Sequence, residues 1–168
     1  MPLQSALMLI NMQGLCSRSR EYKVDMLGER MRHFNTTVAA VTETHLKPEI
    51  LDAEVNVIGY QVFRSDRAGD RVRGGVALYV REGHIVEVMA ASSNGTVEYL
   101  LAYDKTINLV VGVIYRPPAT VTQQFNVIVD ELKRLFLAVE DPQASLVLCG
   151  DFNFPGTDWT GGMTTGAW

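Results

Sequence analysis

Residues 145–153 read Ser145-Leu-Val-Leu-Cys149-Gly150-Asp151-Phe152-Asn153, and this stretch carries the clearest fold signal in the chain. Its first five residues are mostly apolar, which predicts a buried β-strand. A glycine and two polar side chains, Asp151 and Asn153, follow within four positions. Ligand-binding side chains of α/β sheets come from strand ends, because the loops there leave a crevice. The stretch therefore predicts a sheet strand whose end brings an acid and an amide to a site.

Three other predicted strands end in the same way. Residues 7–10, 37–42 and 107–114 are mostly apolar or β-branched, and the polar side chains that follow them are Asn11, Gln13, Glu43, Thr44, His45, Tyr115 and Arg116. Carboxylate and amide oxygens suit a hard cation such as Mg²⁺, and arginine suits a phosphate. If the four ends meet at one edge, they predict a divalent-metal site for a phosphoester. Strand ends are generally polar, so an ordinary sheet edge is the alternative interpretation.

The remaining periodicity predicts about eight strands and two helices. The strands are expected at 7–12, 37–42, 60–63, 75–80, 84–91, 97–103, 107–115 and 145–149, with the first and last of them buried. One helix is predicted from Val24, Leu27, Met31 and Phe34, and a second from Phe125, Val129, Leu132, Phe136 and Val139, which are spaced along one helical face. This order predicts an α/β protein built from two layers or a sandwich.

Composition limits the class of protein. The chain has 168 residues, of which 47% are hydrophobic and 20% are charged, with a net charge of −4. These values predict one folded domain over residues 1–168 and exclude global disorder. The apolar runs are shorter than the ~20 residues of a membrane helix. Without a secretory pattern, and with Cys16 and Cys149 in no disulfide or metal motif, we expect a nuclear or cytoplasmic protein that is not secreted and does not bind a membrane.

The charge is unevenly distributed. A negative net charge argues against a protein whose whole surface binds nucleic acid, but it allows a local basic patch. Five arginines lie within residues 64–81, namely Arg64, Arg67, Arg71, Arg73 and Arg81. They predict either a solvated loop or a patch that contacts DNA phosphates.

Five motifs in order give a family resemblance that covers residues 7–159. They are Asn11, Glu43-Thr44-His45, Gly74-Gly75-Val76-Ala77-Leu78-Tyr79-Val80, Tyr115-Arg116-Pro117-Pro118 and Gly150-Asp151-Phe152-Asn153. Together they resemble the endonuclease/exonuclease/phosphatase superfamily. More narrowly, they are similar to the apurinic-endonuclease-like endonuclease domain of non-LTR (LINE-type) retrotransposons. The resemblance implies a four-layered α/β sandwich, in which two β-sheets are flanked by helices.

The resemblance also implies an activity and its residues. It implies phosphodiester hydrolysis with Mg²⁺ (or Mn²⁺), in which Glu43 ligates the metal and Asn11 helps to set the ligand shell. Asp151 would orient or deprotonate the attacking water, Asn153 would hold the phosphate, and Tyr115 would hydrogen-bond the scissile phosphate. The substrate would be DNA, nicked at a target site and contacted by arginines, for which we predict Arg116, Arg67, Arg71 and Arg73. A monomer is expected, with a reverse transcriptase domain in the same polyprotein when full length.

The sequence departs from the family pattern at its C-terminal end. The pattern closes with further strands and a Ser-Asp-His motif, which residues 1–168 do not contain. We therefore expect a domain that is incomplete at the C-terminus and lacks its C-terminal strands, with weak activity or none by itself. Two alternatives stay open. One is a phosphatase or nuclease of the same superfamily that acts on another phosphoester, and the other is a non-catalytic remnant that binds nucleic acid.

Overall fold

The computed structural model describes residues 6–15, 20–67, 73–92 and 96–154. Within these ranges the chain forms eight strands, two α-helices and a short 3₁₀ helix at Asp52–Val55. The strands are β1 (Leu7–Asn11), β2 (Val38–Thr42), β3 (Tyr60–Ser65), β4 (Val76–Arg81), β5 (Val86–Ala91), β6 (Glu98–Asp104), β7 (Leu109–Tyr115) and β8 (Ser145–Asp151), and the helices are α1 (Arg20–His33) and α2 (Thr122–Leu137). Every predicted element is present, with strand ends that move by no more than two residues.

The strands form two mixed sheets. The first has the order β1-β2-β4-β3, and the second has the order β5-β6-β7-β8. Each sheet contains one parallel pair, β1 with β2 and β7 with β8, while the other described pairs are antiparallel. In these pairs Asn11 is aligned with Thr42, and Tyr115 is aligned with Asp151. Each parallel pair therefore presents two carboxyl ends side by side.

The layers confirm the predicted four-layered sandwich. The two sheets face each other across a core that includes Val38, Leu78, Leu100 and Val113. The predicted apolar stripes of the helices cover the outer faces. Leu27 and Met31 of α1 are fully buried against the first sheet, and Phe125 and Leu132 of α2 are buried against the second. The remaining core predictions for α2, including Phe136, also contact this outer cluster.

Some predicted burial is wrong. Phe34 is 61% exposed, because α1 ends at His33 and the chain turns at Asn35 with φ of 48°. The strands at 7–11 and 145–151 are half-buried, and Leu7 and Leu9 are 39% and 48% exposed. Their apolar runs predicted burial, but each of these strands lies at the end of its sheet among the described residues.

Two further predictions concern turns and membranes. The Asn94-Gly95 turn lies outside the described residues, although β5 and β6 do pair as an antiparallel hairpin would require. No helix among the described residues is long and apolar enough to cross a membrane.

The Cys149 thiol is predicted to react slowly in the folded protein. It is free and lies in β8 against the core between the sheets, and burial raises its pKa from 9.0 to about 11. At pH 8, a thiol with that pKa has roughly one-hundredth of the thiolate fraction of an exposed cysteine, and the thiolate is the reactive form. In iodoacetamide labelling followed by peptide mass spectrometry, we expect Cys149 to react about 100-fold faster in denaturant. Equal rates in the two conditions would contradict its burial.

Candidate active site

The ends of four strands meet at one edge of the sandwich. Asn11 closes β1, Glu43 follows β2, Tyr115 closes β7 and Asp151 closes β8. The amide nitrogen of Asn11 donates hydrogen bonds to Glu43 Oε1 at 3.0 Å and to Asp151 Oδ2 at 3.3 Å. A direct bond thus connects the two sheets between residues 140 positions apart. The structure therefore brings together the two predicted carboxylates and the predicted amide.

The orientation of the Asn11 side chain is set by its own backbone. The backbone N–H of Gln13 donates to Asn11 Oδ1 at 3.1 Å, so the amide oxygen faces the backbone and the amide nitrogen faces the carboxylates. In this position Asn11 holds Glu43 and Asp151 near each other. Such a group orients the ligands of a cation, as outer-shell partners do in metal sites.

The segment that carries Glu43 is held in a backbone conformation that side chains rarely adopt. Glu43 and His45 have φ of 51° and 52°, in the left-handed region. The N–H groups of Thr44 and His45 donate to Gly75 O at 3.2 Å and Gly74 O at 2.8 Å. A Cβ on Gly75 would lie 2.5 Å from Thr44 Oγ1. The glycine pair therefore permits the close approach that aims Glu43 into the site.

His45 is a site residue that the strand-end pattern named but gave no role. Its Nε2 lies 3.3 Å from Glu43 Oε2, while Asn11 binds the other carboxylate oxygen of Glu43. The ring packs against Gly14, where a Cβ would lie 3.0 Å from His45 Nδ1. Both oxygens of Glu43 are thus held by neighbours. The sequence signal for this contact was the spacing of two residues between Glu43 and His45, because side chains two positions apart would lie on the same side of an extended segment.

Tyr115 closes β7 opposite Asp151 and is only 7% exposed. Burial raises the pKa of its phenol, and the negative charges of Glu43, Glu98 and Asp151 raise it further. Because its pKa is raised above 10.0, the phenol stays protonated at neutral pH and can donate a hydrogen bond.

Asn153 is fixed beside Asp151. Its side-chain amide donates to Arg116 O at 2.7 Å, and its backbone N–H donates to Asp151 Oδ1 at 3.3 Å. Its φ of 46° is again left-handed, a conformation that asparagine tolerates better than most residues. Asp151 thus accepts one bond on each oxygen, from Asn153 and from Asn11.

Arg116 does not face a substrate. It is 6% exposed, and its guanidinium donates to the carbonyl oxygens of Phe152, Asn153 and Thr120. The guanidinium carbon also lies 4.1 Å from the ring centre of Phe154. These contacts hold the 152–154 segment against the end of β7. The prediction that Arg116 contacts nucleic acid does not fit this burial, and we assign it a structural role.

The arginine cluster is mostly paired. Arg64 binds Asp66 and Asp52, and Arg67 is 11% exposed and lies 2.9 Å from Glu98. Arg71 lies outside the described residues. Of the described arginines in this cluster, Arg73 alone is exposed, and its own carbonyl accepts a bond from Arg67 at 2.8 Å. The predicted DNA-contacting set is therefore reduced to Arg73, with Arg71 still a prediction.

An open cleft adjoins these groups. Its volume is about 570 Å³, and its walls include Asn11, Thr42, Asp151 and Asn153 together with apolar atoms of Leu9. Among the described residues, no group of three or more His, Cys, Asp and Glu side chains is placed to hold a metal ion. The two carboxylates at this edge nevertheless match the oxygen donors that Mg²⁺ uses, since this ion keeps several of its waters.

Comparison with known proteins gives the family. A statistical description of the Endonuclease/Exonuclease/phosphatase family matches residues 8–168. The chain belongs to this family. A comparison with curated protein sequences finds no match.

Solved structures support the same fold. An AP endonuclease from Archaeoglobus fulgidus aligns with a TM-score of 0.61 and 20% identity over 89% of this chain and 58% of its own. The endonuclease domain of TRAS1, a telomere-specific non-LTR retrotransposon, aligns with a TM-score of 0.58 and 15% identity over 89% of this chain and 60% of its own. The human Nocturnin catalytic domain with bound sulfate aligns with a TM-score of 0.59 and 15% identity over 88% of this chain and 63% of its own. The chain thus spans about three-fifths of the length of these structures.

Proposed function

We propose that this chain carries a divalent-cation-dependent phosphodiesterase site that nicks DNA as the endonuclease of a non-LTR retrotransposon. The observation that carries the proposal is the Asn11 bridge, because it joins Glu43 and Asp151 at one edge of the sandwich. Solvent-exposed strand ends without a function would not require carboxylates from two different sheets to converge on one amide. Like charges held this close favour a cation between or beside them.

Glu43 is the proposed ligand for Mg²⁺ or Mn²⁺. When bound, the cation would neutralise charge on the phosphoryl oxygens and on the leaving alkoxide. The residues around Glu43 contribute by orientation. Asn11 holds one carboxylate oxygen and His45 lies against the other, so the direction of the carboxylate is set before any ligand arrives.

Asp151 is the proposed acceptor for the proton of the attacking water. An ionised carboxylate only accepts hydrogen bonds, and this one lies on the wall of the cleft with both oxygens oriented by Asn11 and Asn153. Tyr115 would donate its phenolic hydrogen to the scissile phosphate and stabilise charge as it develops. Asn153 would complete the phosphate contacts from the same edge.

Support for DNA as the substrate comes from the sequence motifs and from TRAS1. The Tyr115-Arg116-Pro117-Pro118 segment and the 150–159 stretch are most like the retrotransposon branch, and the TRAS1 endonuclease domain shares the fold. Arg73 and Arg71 would contact the DNA backbone. We propose a monomer that works beside a reverse transcriptase domain in one polyprotein. Since residues 1–168 do not contain a Ser-Asp-His motif, we expect the 168-residue chain by itself to be weakly active or inactive.

The proposal is tested by removing the charge of Glu43. We expect Glu43→Gln to weaken Mg²⁺ binding, measured by isothermal titration calorimetry, by about tenfold or more, because a carboxylate ligand is lost. Nicking of supercoiled plasmid should fall with it. The exposed Glu49 provides the matched control, and Glu49→Gln should change neither readout.

Three outcomes would redirect the proposal. Mg²⁺ binding without nicking, together with hydrolysis of a small phosphate ester, would favour a phosphatase of the same family. DNA binding without a heat of Mg²⁺ binding would favour a non-catalytic remnant. No difference between Glu43→Gln and the parent chain in either measurement would overturn the assigned site.

A further inference from the structure

A buried ion pair lies between the two sheets at the end that carries the candidate site. Arg67 follows β3 in the first sheet, and Glu98 begins β6 in the second. The Arg67 Nε atom lies 2.9 Å from Glu98 Oε1, and the two side chains are only 11% and 2% exposed. Buried pairs of this kind give little net stability, because both charges lose their hydration.

Glu98 is the cross-strand neighbour of Tyr115. The two residues are aligned in the antiparallel register of β6 and β7. Their side chains share a face with Leu100 and Val113, which lie in the core between the sheets. Directly opposed residues have Cβ atoms about 4.5–5.5 Å apart, so the side chains of Glu98 and Tyr115 start side by side on this face. Glu98 also contributes to the raised pKa of Tyr115.

Arg67 is connected to the segment that carries Glu43. Its Nη1 atom donates to Arg73 O at 2.8 Å, which places the pair against the glycines that follow. A Cβ on Gly74 would lie 3.0 Å from Arg67 Cδ and 3.1 Å from Glu98 Oε1. The carbonyl groups of these glycines accept the bonds from Thr44 and His45 described above. The Arg67–Glu98 pair therefore lies beside Tyr115 on one side of the site and beside the glycines that position Glu43 on the other.

We propose that Arg67 and Glu98 are positioning residues, which together fix Tyr115 and the Glu43 segment relative to each other. Neither faces the cleft and neither is a catalytic residue. This inference rests on the proposed phosphodiesterase function, and it assigns to the buried pair a role in the rate of that reaction. Its alternative is a purely structural pair whose loss lowers activity only because the fold weakens.

The test separates positioning from stability with a single and a double variant. Glu98→Gln leaves Arg67 buried without its charged partner, so Tm should fall. Adding Arg67→Gln removes the unpaired charge, and Tm should recover at least half of the loss. If the pair positions the site, kcat for plasmid nicking stays about tenfold low in both variants while KM changes less than twofold. If kcat recovers along with Tm, the inference is overturned.

Asp104 supplies the matched control. It ends the same strand, is 2% exposed and pairs with His84 at 2.6 Å, but it lies at the opposite end of β6. Asp104→Asn should lower Tm without the drop in kcat. A drop in kcat equal to that of Glu98→Gln would also overturn the inference.

A second readout does not depend on activity. Hydrogen exchange followed by NMR reports the amides of Thr44 and His45, and ¹³C-labelled tyrosine reports the ring of Tyr115. We expect the double variant to exchange both amides at least tenfold faster and to shift the Tyr115 resonance, while Asp104→Asn changes neither. If the parent chain neither binds Mg²⁺ nor nicks DNA, the proposed function fails, and the amide and tyrosine signals still decide the positioning role. Unchanged signals in the double variant would refute it even if nicking is strong.

Discussion

Replacing Asp151 with Asn is expected to lower the rate of metal-dependent DNA nicking by about 10²–10⁴-fold, the usual effect of losing a positioned acid or base. Asparagine keeps the size of the side chain and can still accept the bond from Asn153 through its oxygen. It cannot take a proton from water, and its NH₂ group would face the amide nitrogen of Asn11 or the N–H of Asn153. The fold has no reason to weaken much, because the Asp151 side chain lines an open cleft.

The measurement is the initial rate of plasmid nicking over a range of Mg²⁺ concentrations. Asp130 lies exposed on α2, and Asp130→Asn controls for the loss of one negative charge. The parent chain and the control should agree within twofold. A rate for Asp151→Asn within threefold of the parent chain would remove Asp151 from the reaction, although it would leave the metal-binding role of Glu43 intact.

Replacing Gly150 with Ala is expected to destabilise the fold by about 3–5 kcal/mol, at the high end for one substitution. Gly150 lies in β8 with φ of 146°, and an added Cβ would lie 1.8 Å from Ile114 O and 2.8 Å from Ile114 N. These atoms belong to the backbone of β7, so no side chain can rotate away. The two strands must separate where they carry Tyr115 and Asp151 into the site.

A Gly83→Ala variant is the control that separates the steric clash at Gly150 from backbone strain. It has φ of 87°, yet a Cβ there would meet nothing within 4 Å. Gly83→Ala should therefore cost only about 1 kcal/mol, the strain of a left-handed alanine. Urea unfolding followed by circular dichroism gives both values. Equal losses at the two positions would show that the close approach of β8 to β7 at Gly150 is not what requires a glycine.

The elements of this fold were predictable because their signals are local. The helical spacing of Leu27 and Met31, and of Phe125 and Leu132, requires only that one face of each helix meets a sheet. Strand ends were equally readable, since a run of apolar residues followed by polar ones marks where a sheet edge begins. Asn11, Glu43 and Asp151 could thus be named as site candidates from their order alone.

The pairing of side chains could not be predicted in the same way. Arg116 follows a strand end, just as the site residues do, and the sequence does not show that its guanidinium turns back toward the carbonyl groups of residues 152 and 153. Glu98 begins a strand rather than ending one, so the pattern that found Glu43 passed over it. Its partner Arg67 is 31 positions away and follows β3 of the other sheet. Such contacts arise only when the two sheets meet.

The backbone around the site has a consequence for how this chain can change. Among the described residues, six non-glycine positions have left-handed φ, and four of them, Gln13, Glu43, His45 and Asn153, are site residues or their hydrogen-bond neighbours. The other two are asparagines, which tolerate this conformation. Each strained position costs about 1 kcal/mol or more, and glycine would relieve the strain at once. Selection for thermal stability alone would therefore favour glycine at these positions, which would remove site residues while the fold is kept.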